Sequence, residues 1–428
     1  NLYANCLLAL DARTGKLRWH YQFVHHDLWD RDFPSPPNLV TVRRGGRTID
    51  AVAQTTKSGH VLVFNRETGE SLFPIDEVSV PKSTLASEGE ETAPTQPVPR
   101  APKAFSRQTL GDDDINPHAT NRDALVAKFR QAKRGAFEPF GRHDTVLFPG
   151  FDGGAEWGGA AADPEGTLYV NANEMAWIAK LRESPRAGDL AELSPGNRVY
   201  SIYCVGCHGG ERKGNPAGGV PSMVDLQSRR KREEVLAILA TGKGMMPGFP
   251  GMADQDKQVL VDFLLGAEKT EGEARPAAAA TRSPIVRTPY RLDGYVRFLD
   301  QDGYPAITPP WGSLIAIDLN TGEHRWRVTL GEFKELSAKG IPPTGTENYG
   351  GPVVTAGGVL FIAATKDATL RAFECKTGKL LWQGDLPANG FATPATYEAG
   401  GKQFVVIAAG GSKLGTPKGD SYVAFALP

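Results

Sequence analysis

Residues 9–19 read ALDARTGKLRW, and the pattern returns at 316–326 as AIDLNTGEHRW and at 372–382 as AFECKTGKLLW. Ala9, Asp11, Thr14, Gly15 and Trp19 recur at identical spacing as Ala316, Asp318, Thr321, Gly322 and Trp326, and as Ala372, Glu374, Thr377, Gly378 and Trp382. A weaker copy, VFNRETGESLF at 63–73, keeps Val63, Asn65, Thr68, Gly69 and Phe73. A lone x-T-G-x turn means little, but three copies matching at five positions are strong evidence of a repeat. The chemistry is local. A strand ends at the acidic residue, whose side chain caps a turn, and Gly supplies the positive φ that the turn needs. A second strand then carries an aromatic residue that can dock on the neighbouring unit. The copies start at 9 and 63, then at 316 and 372. A period of roughly 50 residues with several strands per unit predicts the blades of a β-propeller. Forty-nine glycines and 32 prolines among 428 residues favour such a turn-rich, all-β fold over a helical one.

The bulk numbers exclude some classes. A formal charge of −1 gives no electrostatic case for nucleic acid or an anionic membrane surface. No apolar run approaches the roughly 18 residues of a membrane span. The sequence starts inside a repeat, without an initiator Met or a signal peptide, so an N-terminal part is expected upstream. Of four cysteines, Cys6 and Cys375 stand apart from any motif. Cys6 reads as a small buried residue and Cys375 as an exposed turn residue, with a disulfide between them left open.

The repeat is absent between about residue 75 and residue 315, and something else fills part of that gap. Residues 204–208 read Cys-Val-Gly-Cys-His, the attachment signature for c-type haem. Cys204 and Cys207 can bond both vinyl groups of one porphyrin, and His208 supplies the proximal iron ligand. Amphipathic stretches at 196–203, 231–240 and 254–265 predict three helices around it, with Val235, Leu236 and Leu239 on one face of the second and Val259, Phe263 and Leu264 apolar in the third. Between the second and third lies Gly-Lys-Gly-Met-Met-Pro-Gly-Phe, 242–249. Helix, haem motif, helix, Met-Pro loop and helix is the order of a small class I cytochrome c. Met246, directly before Pro247, is the expected sixth ligand, with Met245 the alternative. A thioether opposite His suits electron transfer. The expected domains are propeller blades at 1–190, the cytochrome at 191–268, a linker at 269–285 and further blades at 286–428, with the cytochrome inserted between two blades.

Residues 25–32 read His-His-Asp-Leu-Trp-Asp-Arg-Asp. Read as a strand, they put His26, Leu28, Asp30 and Asp32 on one face. HHDLWDRD, followed by TKSGHVLVFNRETGE, FPGFDGGAEWGG, GYPAITPPWGSL and ENYGGPVVTAGGVLFIAAT, resembles the membrane-type glucose dehydrogenases and their relatives, which use pyrroloquinoline quinone (PQQ) in an eight-bladed propeller. About half of such a ring is present here. The resemblance implies that Asp30 is the catalytic base, that Lys57 contacts the quinone, and that Trp157 and Asn173 are cofactor neighbours. It also implies a divalent cation, usually Ca²⁺, near Asp30. Asp32 resembles the added metal ligand of lanthanide-using alcohol dehydrogenases, though a charged rim residue is the blander reading. Asp30 could equally cap a turn, Lys57 end a strand in solvent and Trp157 pack in the core. Trp311 and Asn348 are weaker candidates, and His25 and His26 read as packing residues. The Asp112–Asp114 run reads as a solvated loop, residues 74–117 as a long loop, and 121–134 as a short helix.

The function expected on this resemblance is quinohaemoprotein dehydrogenase. An alcohol, sugar or polyol would give its proton to Asp30 and its hydride to PQQ, and haem c would pass single electrons to an external soluble cytochrome or quinone pool. Covalent haem attachment implies the periplasm. The rival is a non-catalytic propeller scaffold with an electron-relay cytochrome, which would not be expected to keep the WD-x-D and TK-G segments together.

Overall fold

Each repeat folds as strand, turn and strand. Asp11 Oδ1 accepts from the amides of Arg13 (3.2 Å) and Thr14 (3.0 Å), Asn65 Oδ1 from those of Glu67 and Thr68, and Asp318 Oδ1 from that of Asn320. The following glycines all take positive φ, from 67° at Gly15 to 89° at Gly322. The motif's first residue pairs across the hairpin with its aromatic: Ala9 with Trp19, Ala316 with Trp326 and Ala372 with Trp382. The aromatic then lands on the glycine of the next copy. A Cβ on Gly69 would lie 2.7 Å from Trp19, one on Gly322 would lie 3.0 Å from Phe73, and one on Gly378 would lie 2.7 Å from Trp326. Indole Nε1 of Trp19 donates to the Arg66 carbonyl (3.0 Å), and that of Trp326 to the Cys375 carbonyl (2.8 Å). One sequence pattern therefore builds both the hairpin and the joint between blades.

The computed structural model describes residues 2–184, 190, 192–214, 220–243, 246–268 and 289–427. Met245 and the expected linker at 269–285 lie outside them. The chain divides into two compact units: Asn1–Trp177 with Arg297–Ser412 and Thr416–Pro428, and Ile178–Val296 with Lys413–Gly415.

The first unit is the propeller part. Its antiparallel sheets follow in order: Cys6–Leu10 with Leu17–Gln22; Asn38–Arg44, Arg47–Thr55 and Val61–Asn65; Ala160–Ala162, Thr167–Asn173, Gly312–Asp318 and His324–Thr329; Val353–Val354, Val359–Ile362, Thr369–Glu374 and Leu380–Asp385; and Ala395–Ala399, Lys402–Gly411 and Lys418–Ala426. Strand alternation covers both faces of the middle blade. Ile315 and Ile317 pack with Val40, Val42, Val63 and Val170 on one side, while Leu314 and Ala316 pack with Leu360, Ile362 and Phe373 on the other. Each such aliphatic side chain stabilises the unit by roughly 1.5–3 kcal/mol when fully buried.

Three expectations change. The insertion falls inside a blade, not between two blades: Thr167–Asn173 pairs with Gly312–Asp318, residue for residue from Thr167↔Asp318 to Asn173↔Gly312. A strand can recover its partner after any excursion whose ends stay together, because closure entropy grows only slowly with length. Residues 74–117 are not a plain loop, since Ile75–Ser79 and Thr95–Pro99 pair as a two-stranded sheet despite Pro97 and Pro99. Cys375 is buried, not exposed, because Tyr169 and Trp326 of the preceding blade cover it and bond its carbonyl. Cys6 is half-buried, and both are free thiols.

The second unit carries helices Pro195–Tyr203, Val205–His208, Arg232–Thr241 and Asp254–Leu264. Ser194 caps the first, with Pro195 in its first turn. Val199, Tyr200, Val205, Val235, Leu239, Leu260, Val261 and Leu264 form its core, with Leu236, Val259 and Phe263 at its edge. The predicted helix at 121–134 is Arg122–Gln131, in the first unit.

Candidate active site

The segment 25–32 is not a strand. His26 and Asp30 take φ of 46° and 59°. Asp27 causes the fold-back. Its Oδ1 accepts from the Trp29 amide (2.8 Å), and its Oδ2 from the Arg31 amide (2.7 Å) and the Asn5 side chain (2.8 Å). Trp29 and Arg31 then turn inward and are almost fully buried. Trp29 donates to the Glu138 carbonyl, and the Arg31 guanidinium to the carbonyls of Pro149 (2.7 Å), Phe148 and Ala136. Asp30 and Asp32 are left on the outer side, with side chains 52% and 40% exposed.

Both carboxylates meet one ammonium. Lys57 Nζ lies 3.0 Å from Asp30 Oδ2 and 2.6 Å from Asp32 Oδ1, while its own side chain is buried. Lys57 sits in a tight turn, where Gly59 N donates to Thr56 O and His60 closes back on Thr56. The FDGG segment braces this turn: Gly154 N donates to Lys57 O at 2.7 Å, and Gly153, at φ 70°, leaves room for the lysine stem. Burial pushes the Asp30 carboxyl up and Asp32 adds to that, outweighing the lowering by Lys57. Burial presses the Lys57 ammonium down, but the two carboxylates reverse this and hold it above its ordinary value. The result is a raised carboxyl acid–base group at an exposed rim, fixed by a lysine that stays charged.

Trp157 is 75% exposed, which removes its reading as core packing and leaves an aromatic face open. Asn173 is buried, and its side-chain amide donates to the Asn348 carbonyl (2.9 Å) and accepts from the Asn348 amide (2.7 Å). Asn171 bonds the Asn348 side chain (2.6 Å). These asparagines clamp one blade to the next at the strand ends. Trp311 is buried and bonds the Ile307 carbonyl. His25 lies against Gln22 and Glu77. Asp112 pairs with Arg130 and Asp114 with Arg107, so two of the three aspartates of the acidic run carry arginine partners. Sequence reasoning missed a buried polar cluster: Asp152 accepts from Trp177 Nε1 (2.9 Å) and from the Tyr349 hydroxyl, while Arg297 reaches Asp152 (3.5 Å) and Glu347 (3.0 Å). The signal was present in the FDGG and ENYGG segments, where charged residues sit among apolar ones.

The residues fit two of the three expected groups. An ammonium has three N–H donors, and the two carboxylates leave one for a quinone oxygen. In the second unit, Cys204, Cys207 and His208 share one helical turn, and His208 Nδ1 lies 3.0 Å from the Pro221 carbonyl. A carbonyl only accepts, so Nδ1 carries the proton and Nε2 keeps the lone pair that an iron needs. Met246 packs at the edge of the same core. A cation fits less well. No group of three or more acidic, His or Cys residues forms a cage among the described residues, and Lys57 already occupies the space between Asp30 and Asp32.

Comparison with known proteins agrees with a propeller that carries a cytochrome segment. The chain belongs to the glucose/ethanol/alcohol dehydrogenase β-propeller family, whose model matches residues 1–202 and 258–405. Residues 191–264 match the model described as cytochrome c oxidase, cbb3-type, subunit III. The chain is 34% identical to the quinoprotein glucose dehydrogenase of Escherichia coli over 100% of its own length and 44% of that protein. It is 30% identical to the glycerol dehydrogenase large subunit of Gluconobacter oxydans, over 100% of its own length and 49% of the relative's. It thus spans about half the length of these curated relatives. The quinohaemoprotein alcohol dehydrogenase of Comamonas testosteroni shares the fold, with a TM-score of 0.50 at 17% identity, covering 99% of this chain and 42% of that one.

Proposed function

We propose that the chain is part of a quinohaemoprotein dehydrogenase that oxidises an alcohol, sugar or polyol. The observation that carries this is the exposed Asp30 carboxylate held by the buried Lys57 ammonium, with Asp32 as second partner. When bound, the quinone supplies the hydride acceptor and haem c a one-electron outlet toward a soluble cytochrome or quinone pool. Asp30 takes the proton of the substrate hydroxyl onto a carboxylate oxygen. Lys57 holds that carboxylate in place and keeps one N–H for the quinone. Cys204 and Cys207 would carry the haem, with His208 and Met246 as iron ligands, and Trp157 offers a flat apolar face beside the FDGG brace. We route no step through a cation, because Asp30 and Asp32 alone do not make a site for one.

On this reading, blades at 1–190 and 286–428 flank a cytochrome at 191–268, and the protein works in the periplasm. No helix of the described residues is long and apolar enough to cross a membrane. The test uses the full-length protein matured with haem, PQQ and Ca²⁺. A panel of alcohols and sugars is added while haem absorbance is followed. Haem reduction that needs PQQ and is lost in Asp30→Asn supports the proposal. A haem that dithionite reduces but no substrate does would support the scaffold reading.

A further inference from the structure

Asp152, the residue before Gly153, is buried, and three other chain segments converge on its carboxylate. Trp177 Nε1 donates to Oδ2 at 2.9 Å, and the Tyr349 hydroxyl donates to Oδ1. The Arg297 guanidinium lies 3.5 Å from Oδ2, and its carbon lies 5.1 Å from the centre of the Trp177 ring. Trp177, Arg297 and Tyr349 are buried as well. A carboxylate only accepts, with room for about four hydrogen bonds, so one side chain takes all three donors. Burial, with the nearby Asp152 and Glu156 carboxylates, pushes the Tyr349 hydroxyl well above its ordinary pKa and keeps it a donor.

Two of these partners mark the ends of the insertion. The chain leaves the propeller unit after Trp177 and re-enters it at Arg297. Within the propeller unit, one buried carboxylate therefore ties the exit residue to the entry residue. The same segment also grips the lysine turn. Gly150 N donates to the Met175 carbonyl (2.9 Å) and Gly153 N to the Gly150 carbonyl (2.9 Å), which makes 150–153 a tight turn beside the exit strand. On the far side of that turn, Gly154 N donates to the Lys57 carbonyl (2.7 Å), and a methyl on Gly153 would fall 2.3 Å from Lys57 Cγ. The path from Trp177 and Arg297 to the Lys57 stem thus runs through two adjacent residues, Asp152 and Gly153. The proposed chemistry uses Lys57 and leaves Asp152 without a role.

We infer that Asp152 is a positioning residue: by gripping Trp177, Arg297 and Tyr349 it fixes Gly153 against the Lys57 stem, and so links the two ends of the insertion to the ammonium that meets Asp30 and Asp32. Its value for turnover rests on the dehydrogenase reading, whereas its hold on Lys57 does not. When the grip is lost, Lys57 slips from the two carboxylates, and its amine is easier to deprotonate and to reach.

The test is acetylation of the folded, haem-matured full chain with acetic anhydride at one fixed pH. Mass spectrometry compares the label on Lys57 with that on Lys376, which is exposed. Neither quinone nor substrate is present, so failure here is distinct from failure of the dehydrogenase reading. In the parent, Lys57 is expected to label slowly. Asp152→Ala is expected to raise the Lys57-to-Lys376 ratio about tenfold, since one unit of lysine pKa is a tenfold change in free amine. Asp152→Asn is expected to stay near the parent. Its oxygen can still face Trp177 while its amide donates to the Tyr349 oxygen, and Arg297 keeps Glu347 at 3.0 Å. Trp177→Phe, which removes the N–H at the exit residue, is expected to raise the ratio in the same direction and decides the question where Asp152→Ala does not fold. A parent-like ratio in folded Asp152→Ala or Trp177→Phe, beside a lowered urea midpoint, would overturn the inference by leaving Asp152 only a stabiliser of its blade. Equal increases in Asp152→Asn and Asp152→Ala would overturn it too, because the charge of Asp152 and not its grip would then govern the lysine.

Discussion

A methyl group on Gly153 would fall 2.3 Å from Cγ of Lys57 and 2.8 Å from its Cα. Gly153 also holds φ at 70°. Glycine is therefore the residue that lets the FDGG segment press against the lysine stem and aim the ammonium at Asp30 and Asp32. Gly153→Ala must move Lys57 or the segment. We expect a loss of about 1–3 kcal/mol in stability from the backbone conformation alone, read as a lower urea midpoint. We also expect a larger fractional fall in substrate-driven haem reduction than in bound haem. Unchanged turnover in a folded Gly153→Ala protein would show that Lys57 needs no such positioning.

The charges around Asp30 set the acid side of the pH profile. Burial raises the Asp30 pKa, Lys57 opposes that rise, and Asp32 adds to it. A base must be ionised to work, so kcat/KM falls as pH drops through the raised Asp30 pKa. Asp32→Asn removes a like charge and is expected to move this limb to lower pH. Lys57→Met removes the opposing cation and is expected to move it to higher pH, with weaker quinone binding. The check is kcat/KM against pH at saturating quinone for the three proteins. Shifts of the same sign in both variants would remove Asp30 from the role of base.

The docking contacts differ in depth, and their substitution costs should differ with them. Trp326 lies over Gly378, 5.8 Å from the Tyr169 ring, and bonds the Cys375 carbonyl. Trp382 is 40% exposed and packs on Phe425. Trp326→Leu is expected to cost about 2–3 kcal/mol through the lost bond and the void, and Trp382→Leu less than about 1 kcal/mol. All seven tryptophans belong to the propeller unit, so indole emission in urea follows that unit alone. Equal costs would show that docking adds nothing beyond local strand packing.

The repeat was legible because its chemistry is local: Asp11, Thr14 and Gly15 satisfy one another within a single turn. The haem motif was legible for the same reason, since Cys204 to His208 span one helical turn. What escaped the sequence depends on distant partners. Cys375 is buried because Tyr169 and Trp326 arrive from another blade. The insertion lies inside a blade because Thr167–Asn173 and Gly312–Asp318 find each other across the whole excursion. Asp30 and Asp32 were paired for the wrong reason. Strand alternation would have put them on one face, whereas the Asp27 side chain folds the segment back and buries Trp29 and Arg31, the residues before and after Asp30. The tie between the Asn173 side chain and the Asn348 backbone also joins distant residues, and no spacing rule displays it.

His60 adds a stability test that involves neither quinone nor haem. Its ring is buried beside the Arg31 charge, and its pKa is lowered from 6.5 to about 4, chiefly by burial. In the unfolded chain the ring takes up a proton near pH 6.5, while in the folded chain it stays neutral until near pH 4. The contribution of His60 is therefore whole above pH 6.5 and is lost as pH falls toward 4. The displacement corresponds to about 3 kcal/mol. Urea unfolding of the propeller unit at pH 7, 5.5 and 4 is expected to show the parent losing about that much more stability than His60→Phe, which carries no titrating ring. Parallel pH profiles for the two proteins would mean that the ring is protonated in the folded state as readily as in water.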